Sequence, residues 1–508
     1  MKRILFGLAA LSASGVAQAQ AQERPNILFI CIDDLRTELG AYGSKGVITP
    51  NLDRLAAEGR LFHRHYVQAP TSGASRAMML TGIGATSQEQ TNNISFSLGL
   101  IGSQEGERPE SFVHHLRRDG YYTVRMGKVS HSDNGYIYPN GQKIKELPYS
   151  WDEYVSNPTS PWPDNYDTRL HGYEDGFTHS MGVTPKLETE SVGDDPRYYS
   201  KGESPAFDFK DRPDESYADG ELANLATAQL EKLSKSDRES PFFMAVGFYK
   251  PHLPFTAPKR YWDMYDGVDI SLSPSPELPE GVDKAFLHSS VECFGQYSHP
   301  EKGGIGVVLS EEYASDLRRA YYSALTFTDA QVGKVLDKLE QTGLDKNTIV
   351  IVWGDHGWHL GDHTIWGKQS LFERALNSTF MVKTPDMKRA GKGTDALVAT
   401  VDLYPTMCEL AGVEVPDGLD GVSFVDLLDS ERSSVREYVV SYWANTIGVR
   451  DDRYRFALYK RGDESAIMLF DHKRDPYERV NVAEQNPKVV ERFMEIVRRE
   501  NRGFLKGV

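Results

Sequence analysis

The chain has 508 residues, 39% hydrophobic and 11% aromatic, which excludes a disordered polymer and leaves room for about three domain-sized units or one large α/β enzyme. Its formal net charge of -16 argues against any general affinity for nucleic acid or an anionic membrane, since both demand extended basic surface. A polyanionic ligand is left with a local cluster of Lys, Arg and His.

Residues 1–21 combine Lys2 and Arg3 with an apolar run and end in small residues spaced A-x-A, at Ala17-Gln18-Ala19 or Ala19-Gln20-Ala21. That is the pattern of a cleaved secretory signal. The run is shorter than the ~20 apolar residues of a membrane span and is broken by serines. The expectation is a periplasmic or secreted protein with no membrane segment after cleavage.

PNILFICIDD follows, with no polar alternation in its apolar run, and predicts a strand buried on both faces. TPNLDRLAAEGRLF predicts a helix with Thr49 as N-cap, Pro50 at its first position and Gly59 as its stop. APTSGASRAMMLTG, residues 69–82, places Ser72 four positions before Arg76, with a helix expected over 75–81 and Ser72 as its N-cap. A serine hydroxyl is a poor nucleophile unless a base, a metal or a covalent change activates it, so its partners must come from elsewhere in the chain.

From 130 to 220, and again from 270 to 310, the sequence predicts long ordered loops over an active-site face. PFFMAVGFY (241–249) and NTIVIVWGDHG (347–357) repeat the buried-strand pattern, each ending in polar residues. Between them DLRRAYYSALTFTDAQVGKVLDKLEQTG predicts a long helix closed by Gly343. After about residue 430 come short strands, turns and a helix from about 486, read as a small α+β subdomain. The expected division is therefore a signal at 1–21, an α/β domain at 22–430 and a C-terminal α+β subdomain at 431–508.

Strands alternating with helices indicate a mostly parallel sheet flanked by helices, and ligands of such sheets bind beyond the carboxyl ends of the strands. Asp33 with Asp34, and Asp355 with His356, fall at two such ends. Buried adjacent carboxylates are costly unless neutralised, and together these residues make an oxygen-rich site for a hard cation. The three cysteines, Cys31, Cys293 and Cys408, are too sparse and odd in number for a disulfide framework; Cys31 and Cys408 sit in apolar runs and read as buried small hydrophobes.

On six ordered motifs the chain resembles the type I sulfatases of the alkaline phosphatase superfamily, in the iduronate-2-sulfatase-like branch: PNILFICIDDLRTELGAYG, TPNLDRLAAEGRLFHRHYVQAPTSGASRAMMLTG, GYYTVRMGKVSHSD, PFFMAVGFYKPHLPF, DHGWHLGDHTIWGKQSLFE and DLYPTMCELAGV. The resemblance implies an alkaline-phosphatase-like fold and maturation of Ser72, the first residue of SGASR, to formylglycine (3-oxoalanine) by a radical-type sulfatase-maturating enzyme. The hydrated aldehyde would be the nucleophile for S–O cleavage through a covalent sulfo-enzyme. Arg76 is implied to hold the nucleophile's oxygens. Lys128 and His131 are implied to contact nucleophile and sulfate, with His131 as the base of the elimination step. His252 and Lys368 are implied to bind sulfate and protonate the leaving sugar oxygen.

By the same resemblance Asp33, Asp34, Asp355 and His356, with Ser72, hold one Ca²⁺. Many sulfatases carry Asn where this chain has His356; the iduronate-2-sulfatase-like branch has His. Imidazole is unusual for Ca²⁺, which keeps zinc open as an alternative. The implied substrate is a sulfated oligo- or polysaccharide, either 2-O-sulfated uronates of glycosaminoglycans or ulvan, or sulfated galactans. Two rival readings stand beside it: a phosphodiesterase or phosphonate monoester hydrolase of the same superfamily, and a glycan-binding protein whose Ser72 is never matured.

Overall fold

The computed structural model describes residues 24–508 except 97–100, 102–103, 108, 138–141, 163–167, 177, 180–197, 200–203 and 431–433. The expected signal at 1–21 lies outside the described residues.

The elements used below are the strands β1 (Asn26–Ile32), β2 (Arg60–Leu61), β3 (Tyr122–Gly127), β4 (Glu153–Tyr154), β5 (Phe242–Phe248), β6 (Thr348–Gly354) and β7 (Phe380–Lys383), and the helices α1 (Pro50–Glu58), α2 (Ser72–Thr81), α3 (Phe112–Arg118), α4 (Ala218–Ser234), α5 (Glu311–Gln341) and α6 (Leu403–Ala411). The strands form one sheet in the order β2-β7-β6-β1-β5-β3-β4. Every pairing from β6 to β4 is parallel, and only β7 runs against its neighbours.

The centre of the sheet is buried on both faces, as the apolar runs require. Leu28, Ile30 and Ile32 of β1 join a core built with α1, α4 and α5. Ile27, Phe29 and Cys31, pointing the other way, join a second core with α2, α3 and α6. Cys31, Cys293 and Cys408 are all buried and unbridged. No helix among the described residues is long and apolar enough to cross a membrane.

Two helix boundaries differ from expectation. The long helix begins at Glu311, where the Ser310 side chain accepts from the Tyr313 amide; this cap precedes the apolar periodicity and so escapes a search for it. The other, α2, begins at Ser72 rather than at 75. Thr71 occupies the cap position without a side-chain cap hydrogen bond, and the Ser72 hydroxyl is turned toward other partners.

The chain ends in an antiparallel sheet, β8 (Val439–Trp443), β9 (Thr446–Arg450), β10 (Tyr454–Arg461) and β11 (Glu464–Asp471), covered by α7 (Pro487–Glu500) through Phe493 and Val497. This sheet shares a core with Tyr66, Val67, Leu371 and Phe372. The Tyr442 amide donates to Gln68 O at 2.7 Å and Ser441 Oγ to Val67 O at 2.7 Å. The C-terminal unit therefore buttresses the segment that leads into α2.

Candidate active site

All ten residues singled out from the sequence are buried at the carboxyl end of the central sheet, on elements that converge there. Asp33 and Asp34 follow β1, Lys128 and His131 follow β3, His252 follows β5, and Asp355 and His356 follow β6. Ser72 and Arg76 lie on the first turns of α2, and Lys368 comes from the loop after β6.

Close backbone approach fixes some of these positions. The Lys128 amide donates to Gly247 O at 2.8 Å. A Cβ at Gly247 would sit 2.1 Å from Lys128 O, so only glycine lets β5 pass under Lys128. Asp34 has φ +55, the left-handed region. Such backbone is sparsely populated by non-glycine residues, and the strain recurs at functional sites.

Ser72 Oγ donates to Asp33 Oδ1 at 3.1 Å and lies 3.0 Å from His356 Nε2. It is 2% exposed and sits at a helix N-terminus, where backbone amides favour negative charge. The hydroxyl is thus held against two of the acidic and imidazole groups rather than serving as a cap.

Arg76 is fully buried and bridges the cluster. Its Nε and Nη2 lie 3.0 and 2.9 Å from Asp355 Oδ2, and Nη2 lies 3.6 Å from Asp33 Oδ2. Its Nη1 donates to the carbonyls of Lys128 and Val129. Lys128 Nζ pairs with Asp33, and Lys368 Nζ donates to Asp34 Oδ1 at 2.9 Å.

The carboxylates split in behaviour. Both are penalised by burial, but Lys128 and Arg76 hold Asp33 well below the usual carboxylate range. Burial pushes Asp34 well above it, with Asp33, Glu292 and Asp355 adding to the rise against the pull of Lys368. Burial holds His356 down at about 4, so its imidazole is neutral and able to ligate.

These four side chains fit a divalent cation. Asp33, Asp34, Asp355 and His356 each offer a ligand atom, all within 4.8 Å of one another. Among the described residues, Asp34 Oδ2 is buried without a hydrogen-bond partner, a costly arrangement that a metal bond would relieve. Three carboxylate donors suit a hard ion.

His131 is buried and within electrostatic reach of Lys128, Arg76, Asp33 and Lys368; burial first, then the two cations, hold it well below its ordinary value. His252 places Nδ1 2.6 Å from Leu253 O, which leaves Nε2 facing the site, 3.9 Å from Asp34 Oδ2 and 3.0 Å from Glu292 Oε1. Its ordinary value is likewise lowered, chiefly by burial and then by Lys368. Lys368 stays an ammonium despite burial, because Asp34 and Glu292 raise it.

Three further residues were missed. Lys250, in the KPH stretch, donates to the carbonyls of Leu170, His252 and Pro254 at 3.0, 3.2 and 2.7 Å; it ties the His252 loop to the segment carrying His171. Glu146 accepts from Ser130 Oγ, from the Ser132 amide at 3.1 Å and from Ser132 Oγ at 2.5 Å, gripping both neighbours of His131. Glu292, on the short helix Val291–Gln296, joins His252 to Lys368. Lys250 lay inside a recognised motif; the two glutamates carry no local signal.

The Sulfatase family profile matches residues 25–413. This chain belongs to the sulfatase family. A second profile, N-sulphoglucosamine sulphohydrolase, C-terminal, matches residues 361–501. The mouse iduronate 2-sulfatase is 29% identical over 441 residues, covering 81% of this chain and 73% of that enzyme. The delta 4,5-hexuronate-2-O-sulfatase of Bacteroides thetaiotaomicron is 28% identical over 488 residues, covering 93% and 87%. The phosphonate monoester hydrolase of Agrobacterium radiobacter shares the alkaline-phosphatase-like fold, with a TM-score of 0.67 at 22% identity over 94% of this chain and 95% of that one. As a sulfatase, the chain is a sulfuric ester hydrolase.

Proposed function

We propose that this sulfatase is an exported bacterial enzyme that removes a sulfate ester from a carbohydrate by S–O cleavage, with formylglycine formed at Ser72 by a radical-type maturating enzyme. The observation that carries the reading is the Ser72 hydroxyl, at the start of α2, within hydrogen-bond distance of both Asp33 and His356. Sulfated-sugar substrates are supported by the activities named for the mouse and Bacteroides relatives. Export is supported by the charged, apolar and small-residue pattern of residues 1–21.

A hydrated aldehyde at position 72 would supply one hydroxyl as nucleophile and a second whose deprotonation would expel sulfate, where an unmodified serine would be left as a stable ester. A divalent cation, for which Ca²⁺ is the proposed choice, would be held by Asp33, Asp34, Asp355, His356 and the side chain at position 72, and would supply positive charge to the nucleophile and the sulfate oxygens.

The protein's own groups do the rest. Arg76 and Lys128 fix Asp33 and Asp355, so the acidic wall stands in place before substrate arrives. His131, neutral through burial and its cationic neighbours, is competent to accept a proton. Lys368 holds its charge beside Asp34 and binds the anionic sulfate. His252, oriented by Leu253 O, directs Nε2 to the leaving oxygen.

The test is co-expression with a radical maturase. The Ser72 peptide should lose about 2 Da, two hydrogens, on activation of the nucleophile, and sulfate release from defined sulfated oligosaccharides should appear only in the matured protein. Full activity from unmodified Ser72, or faster hydrolysis of aryl phosphate or phosphonate than of aryl sulfate, would overturn the reading.

A further inference from the structure

The carboxylate of Glu292 sits where none of the assigned roles requires one. Its Oε1 is taken up by two groups, His252 Nε2 at 3.0 Å and the Lys368 ammonium at 3.3 Å. Among the described residues its Oε2 accepts only a long bond from Gln369 Nε2, at 3.4 Å. A carboxylate has about four acceptor positions, so Oε2 retains capacity. The Glu292 side chain is 13% exposed, against 4% for His252 and 3% for Lys368; of the three it is the one that reaches the solvent side of the pair. Its neighbour Val291 is exposed, which places this helix end at the rim.

An anion beside two sulfate-directed groups cannot itself bind sulfate. It can bind what is attached next to the sulfate. With His252 Nε2 on the ester oxygen, the sugar carbon would lie one bond further out, and the substituent on the adjoining carbon would fall on the side of Glu292, whose Oε1 lies 3.0 Å from that same Nε2. A hydroxyl there donates to Oε2. A second anion there meets a like charge while His252 and Lys368 are committed to the reacting sulfate.

We propose that Glu292 reads the substituent adjoining the sulfated carbon, and that the substrate class is a secondary sulfate ester on a sugar ring with a free hydroxyl on a neighbouring carbon. Primary 6-O-sulfates, whose adjoining carbon carries no hydroxyl, and vicinal disulfates are disfavoured. This inference rests on the sulfatase reading above and adds a choice among its substrates.

The experiment uses the matured full-length enzyme with the 2-, 3-, 4- and 6-O-monosulfates of methyl galactoside and of methyl glucoside, the 2-O-monosulfate of methyl iduronoside, and, for the best of these, the analogues in which the adjoining hydroxyls are replaced by hydrogen or by sulfate. The wild type should prefer the hydroxyl over the deoxy analogue by roughly 10- to 100-fold in kcat/KM, the range of one hydrogen bond to a charged group. In Glu292→Ala that ratio should fall toward one, whatever happens to the absolute rate. Glu292→Gln, whose amide oxygen still accepts, should keep part of it and tolerate the vicinal sulfate better. An unchanged ratio in Glu292→Ala, or a wild type that favours the 6-O-sulfates, overturns the proposal. Failure of the matured wild type to release sulfate from any of these or from nitrophenyl sulfate would instead overturn the sulfatase reading, and this inference with it.

Discussion

Replacing Arg76 by lysine keeps the charge and removes the fork. The guanidinium, fully buried, spans Asp355 Oδ2 through two nitrogens at 3.0 and 2.9 Å and the carbonyls of Lys128 and Val129 through a third. An ammonium is a point charge on a flexible stem; it can serve the carboxylate or the carbonyls, not both. One to two charge-assisted hydrogen bonds are then lost, at about 1.5–3 kcal/mol each, and lysine recovers part by relaxing toward Asp33, for a net cost of about 2–4 kcal/mol. Because the unfolding entropy grows with chain length, a protein of this size loses roughly 1 °C of Tm per kcal/mol, so calorimetry should record a fall of about 2–4 °C. Arg76→Ala should cost more, about 3–5 kcal/mol, since it leaves buried carboxylates uncompensated. A Tm for Arg76→Lys indistinguishable from wild type would refute the bridging role.

Removal of divalent ions by chelation should lower Tm and activity, with calcium restoring both; elemental analysis finding two zinc ions per chain would refute the hard-cation assignment of Asp33, Asp34, Asp355 and His356. His65, buried between Ser378 and Thr400, is pushed down by burial to about 3 from 6.5. The unfolded chain therefore binds a proton below 6.5 that the folded chain refuses, and stability attributable to His65 is lost as pH falls from 6.5 toward 3, by about 1.4 kcal/mol per unit. The stability gap between wild type and His65→Gln should narrow over that window in denaturant melts, and a constant gap would sink the argument. His252→Ala should depress turnover of a sugar sulfate by about 10²–10⁴-fold and that of nitrophenyl sulfate much less, while Lys368→Ala should harm both alike; equal losses for His252→Ala would make that residue a sulfate ligand.

The parts of this molecule that are legible in its sequence are those where burial leaves a local trace. Strands β1, β5 and β6 are apolar on both faces because helices cover both, and the polar residues that end them mark the carboxyl edge where a parallel sheet binds ligands. The start of α2 is misread because a serine before a helix ordinarily caps it, whereas Ser72 spends its hydroxyl on Asp33 and His356. Glu146 and Glu292 leave no trace at all: in loop-rich sequence a glutamate looks solvent-facing, and only the fold turns one onto the flanks of His131 and the other onto His252 and Lys368.

Charge shows why the hidden glutamate matters to the whole. With all four carboxylates ionised, as a bound cation requires of Asp34, the cations Arg76, Lys128 and Lys368 face Asp33, Asp34, Asp355 and Glu292, and the protein's own groups carry one negative charge in excess. An acidic protein with that balance repels a sulfate monoester. One divalent ion reverses it to a single positive charge, the complement of the monoester's single negative charge. Had Glu292 been neutral, the loaded site would carry two positive charges and hold released sulfate, a dianion, more tightly than the substrate. On this reasoning Glu292→Gln should strengthen inhibition by inorganic sulfate relative to wild type, and a weaker inhibition would show that the charge balance does not govern product release.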